Sequence, residues 1–313
     1  MARTKKTEID AEKKQSAQEL MMAVEASMAL RPDTFICPDN KWRLMVRNSL
    51  KAKNVMMTGP AGCGKTLAAQ TIAEVFKRPF FKFNLGATQD ARASLIGNVH
   101  FDKDSGTYLS ESQFVKAIQT EGAIILLDEL SRASMDAHNI LMTVLDKQRY
   151  LRIDESTDSD NIVKVADGVT FFATANVGME YTATSVIDKA INDRFTLVEM
   201  EPLDKEQTKT LLKKQHQNLH PKAIDIIVNI YSAILEEYKG TSGKVSNAIS
   251  VRVILEVAEL IEDGFPVQEA IESIVFPRFS DEGALDSERT YVKQAVQRFI
   301  SDDKLTNDNM FEE

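Results

Sequence analysis

The sequence predicts an α/β fold, in which a parallel five-stranded sheet carries helices on both faces and an all-helical domain follows. Three observations lead to this prediction. Short apolar runs alternate with helical patterns over the first two-thirds of the chain, which is typical of a parallel sheet. A glycine-rich turn joins the first of these runs to a helix. After Pro202 only helical patterns follow, so we predict a domain boundary there.

Five apolar runs are the candidate strands, and four helical patterns make up the C-terminal part. The predicted strands cover residues 54–58, 80–85, 123–128, 170–175 and 195–200. The predicted C-terminal helices lie around residues 205–218, 223–238, 250–263 and 267–276. One apolar stripe is predicted to form the core of this part, and it consists of Ile224, Ile227, Ile230, Tyr231, Ile234 and Leu235.

The same changes of pattern divide the chain into domains. Residues 1–35 are predicted to be a polar segment with an amphipathic helix at 16–30, residues 36–202 the α/β domain, residues 203–300 a helical lid and residues 301–313 an acidic tail. Two insertions, near 98–110 and 150–165, have the pattern of β-hairpins because short β-rich runs flank polar turns. Solvated disorder is the simplest interpretation of both chain ends, with docking of the tail on a partner as the alternative.

The glycine-rich turn matches the phosphate-binding loop G-x-x-x-x-G-K-[ST] at every required position. The predicted binding residues are Gly59, Pro60, Ala61, Gly62, Cys63, Gly64, Lys65, Thr66 and Leu67. Glycines let backbone N–H groups converge on phosphate oxygens, and the following helix adds its positive end. Lys65 is predicted to contact the β- and γ-phosphates, and Thr66 to supply a hydroxyl ligand for Mg²⁺. The alternative is a glycine-rich turn of chance composition.

A second acidic motif follows the phosphate loop by about sixty residues. The apolar run 123–127 ends in Asp128 and Glu129, an arrangement that brings carboxylates beside the phosphates at the carboxyl edge of a parallel sheet. We predict that Asp128 orients Mg²⁺ and its waters, while Glu129 is the general base for the attacking water. The alternative is a pair of surface charges.

Composition excludes several classes of protein. The chain has 313 residues, 43% of them hydrophobic, but no apolar run approaches the length of about 18 residues that spans a membrane, so we expect a cytoplasmic location without membrane association. The net charge of −9 leaves nucleic acid possible as a partner but unfavoured. Cys37 and Cys63 are expected to be reduced, with oxidant sensing at Cys63 as the alternative. His216 and His220 have no further ligand in motif spacing, so we interpret them as a solvated pair and expect no structural zinc.

Taken in order, the motifs resemble those of the AAA+ ATPases, a P-loop NTPase family, and within it the MoxR-like and dynein-related branch that includes the cobaltochelatase small-subunit ATPases. The resemblance spans residues 39–298. Besides the phosphate loop, it rests on Leu95-Ile96-Gly97, Asp128-Glu129-Leu130-Ser131-Arg132-Ala133, Ala173-Thr174-Ala175-Asn176, Asp193-Arg194-Phe195 and Ser250-Val251-Arg252.

The resemblance implies three further site residues. Asn176 matches the polar residue that positions the lytic water, and Arg194 matches the arginine finger supplied to a neighbouring subunit's nucleotide. Arg252 matches the second-sensor arginine, which reaches from the lid to the γ-phosphate. The sequence departs from the family pattern at Asn192, where leucine is usual, and at Val251, where proline is common. From the residues alone, Asn176 also suits a turn at a strand end, and Arg194 a structural ion pair.

The resemblance also implies a function: a homo-oligomeric, hexameric ring that hydrolyses Mg-ATP to remodel or assemble a protein partner. Such a partner would carry a von Willebrand factor A type module. Two alternatives stay open: a slowly hydrolysing, nucleotide-gated assembly or binding module, and a DNA-associated motor. The DNA motor is disfavoured because acidic residues surround the basic ones available on the predicted hairpins, which are Lys103, Arg149, Arg152 and Lys164.

Overall fold

The computed structural model describes residues 2–102, 106–153, 161–176, 189–240, 244–246, 248–283 and 286–300. These residues group into two compact units. The α/β unit contains the described residues up to Gly59 and from Gly64 to Met200. The helical unit contains Pro60–Cys63 and the described residues from Glu201 onward. The division along the chain therefore falls at Met200, where the sequence prediction had placed it after residue 202.

The α/β unit is built on one five-stranded parallel sheet, and the predicted α/β fold is confirmed. The strand order is β2-β5-β8-β1-β9. The strands are β1 (Val55–Gly59), β2 (Phe80–Asn84), β5 (Ile124–Asp128), β8 (Thr170–Asn176) and β9 (Thr196–Glu199). Every residue of β5 is buried, as are the first six of β8, because a central parallel strand is covered by helices on both faces.

Helices and short hairpins fill the connections between these strands. The helices of the α/β unit are α1 (Ala2–Leu30), α2 (Asp39–Leu50), α3 (Lys65–Val75), α4 (Ala91–Leu95), α5 (Gln113–Ile118), α6 (Met135–Leu145) and α7 (Lys189–Asn192). Two antiparallel hairpins occur at the predicted insertions: β3 (Gly97–Asp102) with β4 (Gly106–Glu111), which extends one residue beyond the predicted range at each end, and β6 (Tyr150–Arg152) with β7 (Ile162–Lys164). The tips at 103–105 and 154–160 lie outside the described residues.

Helix α1 is longer than the amphipathic helix predicted at 16–30. It runs from Ala2, because residues 2–15 combine alanine, lysine and glutamate without a glycine or proline to interrupt the helix. Its C-terminal half packs on α2, where the indole of Trp42 is fully buried and its Nε1 donates to Ser27 Oγ at 3.0 Å. This contact fixes α1 to the α/β unit through a satisfied buried polar pair.

The helical unit contains α8 (Lys205–Gln215), α9 (Pro221–Lys239), α10 (Val251–Glu262), α11 (Val267–Ile274) and α12 (Glu288–Ile300). Every member of the apolar stripe predicted for the core is buried. Helix α12 was missed from the sequence because its apolar positions are sparse. The histidine prediction needs correction: His216 Nδ1 lies 2.7 Å from Glu262 Oε2 and is not simply solvated, and His220 caps α9. Within the described ranges no cluster of three or more potential metal ligands occurs.

Candidate nucleotide-binding site

The phosphate loop begins at the carboxyl end of β1 and runs into α3. Gly59, Gly62 and Gly64 have φ values of +142°, +76° and +87°, a region that residues with a Cβ rarely adopt. The motif glycines are therefore required by the path of the backbone. The sequence predicted this strand, turn and helix, and the helix begins at Lys65.

Lys65 supplies a buried positive charge at the end of this loop. The residue is 7% exposed, and its Nζ donates to Gly59 O at 2.8 Å. An ammonium group held in a partly dehydrated place is strongly attracted to anions, because less water screens its charge. Lys65 and the start of α3 together form a cationic end to the loop, which suits phosphate.

The tip of the loop belongs to the helical unit, where it meets the start of α10. A Cβ added to Gly62 would overlap the side chain of Ser250, the residue just before α10. Arg252 follows in the first turn of the helix and is exposed. The predicted second-sensor arginine therefore lies two residues beyond a direct contact with the loop, and its role remains a prediction.

Two oxygen-bearing side chains that were predicted to hold Mg²⁺ are neighbours in the structure. Thr66 Oγ1 lies 3.2 Å from Asp128 Oδ1 and 3.4 Å from Asp128 Oδ2. Thr174 Oγ1, on the adjacent strand β8, donates to Asp128 Oδ1 at 2.5 Å. Hard oxygen donors of this kind, a hydroxyl beside an oriented carboxylate, fit Mg²⁺. The residues present therefore fit the predicted ion.

Asp128 is kept ionised by its surroundings. Burial alone would raise its pKa, but hydrogen bonds from Lys82, Thr174 and Thr66, together with the charge of Lys82, lower the pKa below its ordinary value. The Nζ atom of Lys82 lies 2.8 Å from Asp128 Oδ2. The carboxylate is thus prepared as an anion before any metal binds.

Glu129 has an unusual backbone conformation that directs its side chain. Its φ is +57°, in the left-handed region, and its N–H donates to Thr174 Oγ1 at 2.9 Å. The side chain is 33% exposed and lies against Gly86, while its Oε2 is 3.9 Å from Arg132 Nη1. Strained backbone at a chemically active position is typical of functional sites. A carboxylate that is partly open to water at this edge can accept a proton.

Gly86 leaves the space in which the Glu129 side chain lies, so we expect Gly86→Ala to reduce ATP turnover about tenfold while the fold stays intact. The added methyl group would overlap Glu129 Oε2 and lie 3.0 Å from Glu129 Cβ. The flexible carboxylate would move away, which costs little stability but changes its position. Steady-state phosphate release together with thermal unfolding measures both effects. Ala87→Ser, at the exposed neighbouring position, is the control, and equal turnover in the two variants would contradict this role.

Asn176 ends strand β8 beside the phosphate loop. In the parallel register its partner on β1 is Gly59, the first residue of the loop. The side chain is only partly buried. The residue is therefore level with the point where the loop leaves the sheet. Its strand, β8, lies between β1, which leads into the loop, and β5, which leads into the acidic pair. Its predicted action on water remains a prediction.

Arg194 lies at the amino end of the parallel sheet, opposite the carboxyl end at which the phosphate loop begins. It precedes β9, whose first residue Thr196 is level with Val55 at the start of β1. Four residue steps along β1, at about 3.3 Å each, therefore separate this level from Gly59, the first residue of the phosphate loop of the same chain. The guanidinium contacts Asp146 Oδ2 at 3.3 Å and donates to Met142 O at 3.2 Å and Ala190 O at 2.5 Å. These contacts match the structural ion pair that the sequence left open, and the role of Arg194 as an arginine finger remains a prediction.

The structure adds residues that the sequence analysis missed and corrects one. Lys82 and Thr174 contact Asp128, and Gly86 contacts Glu129. Thr174 was part of a quoted motif, and a hydroxyl in an otherwise apolar central strand was the available signal. Arg149 is not available to nucleic acid: its guanidinium donates to Ala52 O at 3.1 Å and lies over the ring of Phe171. That removes one of the four basic residues considered for a DNA motor.

Among the described residues, no helix is both long enough and apolar enough to cross a membrane.

The profile of the family described as "AAA domain (dynein-related subfamily)" matches residues 54–195. A Thauera aromatica protein named "Putative chaperone BssE" is 32% identical over 219 residues, which covers 70% of this chain and 72% of the relative. A Staphylococcus epidermidis protein is 28% identical over 235 residues, covering 74% and 86%. A solved structure of a Thermotoga maritima RuvB mutant covers 78% of this chain and 71% of its own, at 15% identity and a TM-score of 0.49.

Proposed function

Since the chain belongs to the dynein-related subfamily of AAA domain proteins, we propose that it is an ATPase that uses Mg-ATP hydrolysis to remodel or assemble a protein partner. The observation that supports this most strongly is the meeting of two motifs, the phosphate loop and the acidic pair, at the carboxyl end of the sheet. Thr66 of the phosphate loop lies 3.2 Å from Asp128, and Glu129 follows directly with a partly exposed carboxylate. Nucleotide binding alone would not need a base in that place.

The proposed mechanism assigns one task to each group. Lys65 and the loop amides bind the phosphates of ATP, and Thr66 and Asp128 hold Mg²⁺. When bound, Mg²⁺ supplies charge neutralisation on the phosphate oxygens. Glu129 takes a proton from the attacking water, and Asn176 orients that water.

Completion of the site requires a second copy of the chain. Arg194 lies at the amino edge of the sheet and so is too distant to serve the phosphate loop of its own chain. In a closed ring each subunit would offer Arg194 to the nucleotide of its neighbour, and its planar guanidinium would stabilise the charge that develops on the transferred phosphoryl group. We propose a ring of six copies.

Arg194→Ala is expected to reduce steady-state phosphate release at least about a hundredfold, because the composite site would lose its charge stabilisation. Wild-type specific activity should rise with protein concentration as rings form. Asp146→Asn is the matched comparison: it removes the charge that pairs with Arg194 but keeps the guanidinium and its contacts with Met142 O and Ala190 O, so turnover should persist. Activity that is flat in concentration and equal in Arg194→Ala would contradict the finger. Equal losses in both variants would mean that the ion pair itself matters.

The proposed client is a protein. One relative is named as a chaperone, and the MoxR-like and chelatase branch that the motifs resemble suggests a partner with a von Willebrand factor A type module. Movement of the two hairpins and the lid would transmit the energy of hydrolysis to this client. The proposed location of the protein is the cytoplasm. If wild-type protein binds ATP but turns it over very slowly at all concentrations, the nucleotide-gated binding module becomes the better description.

A further inference from the structure

Lys82 is a charged residue at the site to which the proposed mechanism gives no task. It lies on the edge strand β2, next to β5, two residues before Asn84, which is level with Asp128. Residues two apart on a strand share a face, so a long side chain at position 82 can extend along the sheet to the carboxylate. The ammonium ends 2.8 Å from Asp128 Oδ2, and the side chain is 46% exposed while that of Asp128 is 12% exposed.

The hydrogen bonds around Asp128 are divided between its two oxygens. Oδ1 accepts from Thr174 at 2.5 Å and from Thr66 at 3.2 Å, so neutral hydroxyl groups satisfy it. Oδ2 has the Lys82 ammonium as its short contact, at 2.8 Å, while Thr66 Oγ1 is farther away at 3.4 Å. A mostly buried carboxylate needs a counter-charge, because its desolvation is otherwise unfavourable. In the chain without metal, Lys82 supplies this counter-charge.

We propose that Lys82 is a built-in counter-cation of Asp128 that competes with Mg²⁺ for this carboxylate, and that it thereby limits how strongly Mg²⁺ and nucleotide binding are coupled. This inference rests on the proposed function, since it concerns the same site. One carboxylate oxygen cannot give its full charge to an ammonium and to a hydrated metal ion at once. The lysine side chain is long, flexible and half exposed, so it can leave when the ion arrives.

Removing the ammonium has two expected effects, and both raise the ratio of the dissociation constant without Mg²⁺ to the one with Mg²⁺. Without metal, Asp128 would face the nucleotide phosphates with its charge uncompensated, so metal-free nucleotide would bind more weakly. With metal, the carboxylate would be available to the ion from the start. A lower Mg²⁺ concentration would therefore give half of the full increase in nucleotide affinity. The ratio of the dissociation constants without and with Mg²⁺ should therefore rise when Lys82 is neutralised.

The test is a fluorescence titration with mant-AMP-PNP, an ATP analogue that is not hydrolysed, in EDTA and over a series of Mg²⁺ concentrations. For Lys82→Met, which keeps most of the length of the side chain but not its charge, we expect the dissociation constant in EDTA to increase about tenfold. The Mg²⁺ concentration that gives half of the full increase in affinity should fall several-fold. Lys82→Arg should retain most of the wild-type ratio because it keeps a cation there.

The matched control is Lys116→Met, which removes one positive charge from an exposed position on α5, and it should leave the ratio unchanged. Thermal unfolding of each variant verifies that the fold persists. A ratio in Lys82→Met that equals the wild-type value, or falls below it, would overturn the competition and leave Lys82 as a structural ion pair. Failure of wild-type protein to bind the analogue under any condition would instead overturn the proposed function, and this inference with it.

Discussion

Glu129→Gln is expected to lower ATP turnover at least about a hundredfold while leaving nucleotide affinity within a factor of about three of wild type. Glutamine has the same shape but cannot accept a proton from the attacking water. Two contacts that position residue 129, from its N–H to Thr174 and from its side chain to Gly86, do not depend on the carboxylate charge, and the charged Arg132 guanidinium lies farther away, 3.9 Å from Oε2. Phosphate release measures turnover, and titration with mant-AMP-PNP measures affinity.

Glu121→Gln is the control for this experiment. Glu121 is an exposed acid that lies shortly before β5, whereas Glu129 directly follows that strand. It should behave as wild type in both assays. Turnover that survives in Glu129→Gln would show that another group accepts the proton. Loss of nucleotide binding in that variant would instead mean that the carboxylate supports the loop, and the assignment as a general base would be wrong.

The parts of the site that could be predicted from sequence are those that one short segment contains. The phosphate loop is complete between Gly59 and Thr66, so its glycines, Lys65 and Thr66 could be identified without knowing the fold. The pair Asp128 and Glu129 likewise follows its own buried strand. The fold class could be predicted because the alternation of apolar runs and helical patterns is itself the signature of a parallel sheet.

Contacts between strands could not be predicted in the same way. Lys82 meets Asp128 only because β2 lies beside β5, and Thr174 does so only because β8 lies on the other side of β5. Strand order depends on how the helices cross over the sheet, which local patterns do not contain. The same holds for Arg194, whose ion pair with Asp146 depends on where α6 ends relative to β9.

Arg78 is the clearest case of a residue whose importance only the structure reveals. It lies in the turn between α3 and β2, where nothing in the sequence distinguishes it from a surface arginine. Its guanidinium donates to Gly122 O at 2.5 Å, Gly168 O at 2.6 Å and Ser49 O at 3.0 Å. One side chain therefore joins α2 to the turns that enter β5 and β8 at the amino edge of the sheet.

Arg78→Met is expected to lower the free energy of unfolding of the α/β unit by about 3–5 kcal/mol, because several backbone carbonyls in a half-buried place would lose their donor. For a unit of this size, that corresponds to a fall of roughly 10 °C in the temperature of thermal unfolding. Arg78→Lys should recover only a part of this stability, since an ammonium group cannot reproduce the planar fork of donors that contacts α2 and two separate turns. Scanning calorimetry or circular dichroism measures the shift.

The comparison variant is Arg43→Met, because Arg43 is an exposed arginine whose guanidinium contacts only the side chain of Glu25 among the contacts described for it, at 3.0 Å. It loses the same charge and the same number of atoms, but an exposed ion pair contributes at most about 1 kcal/mol. A large difference between the two variants would locate the effect in the buried carbonyl contacts. If Arg78→Met unfolded within about 2 °C of Arg43→Met, water would be replacing the guanidinium at these carbonyls at little cost, and Arg78 would not hold the amino edge of the sheet together.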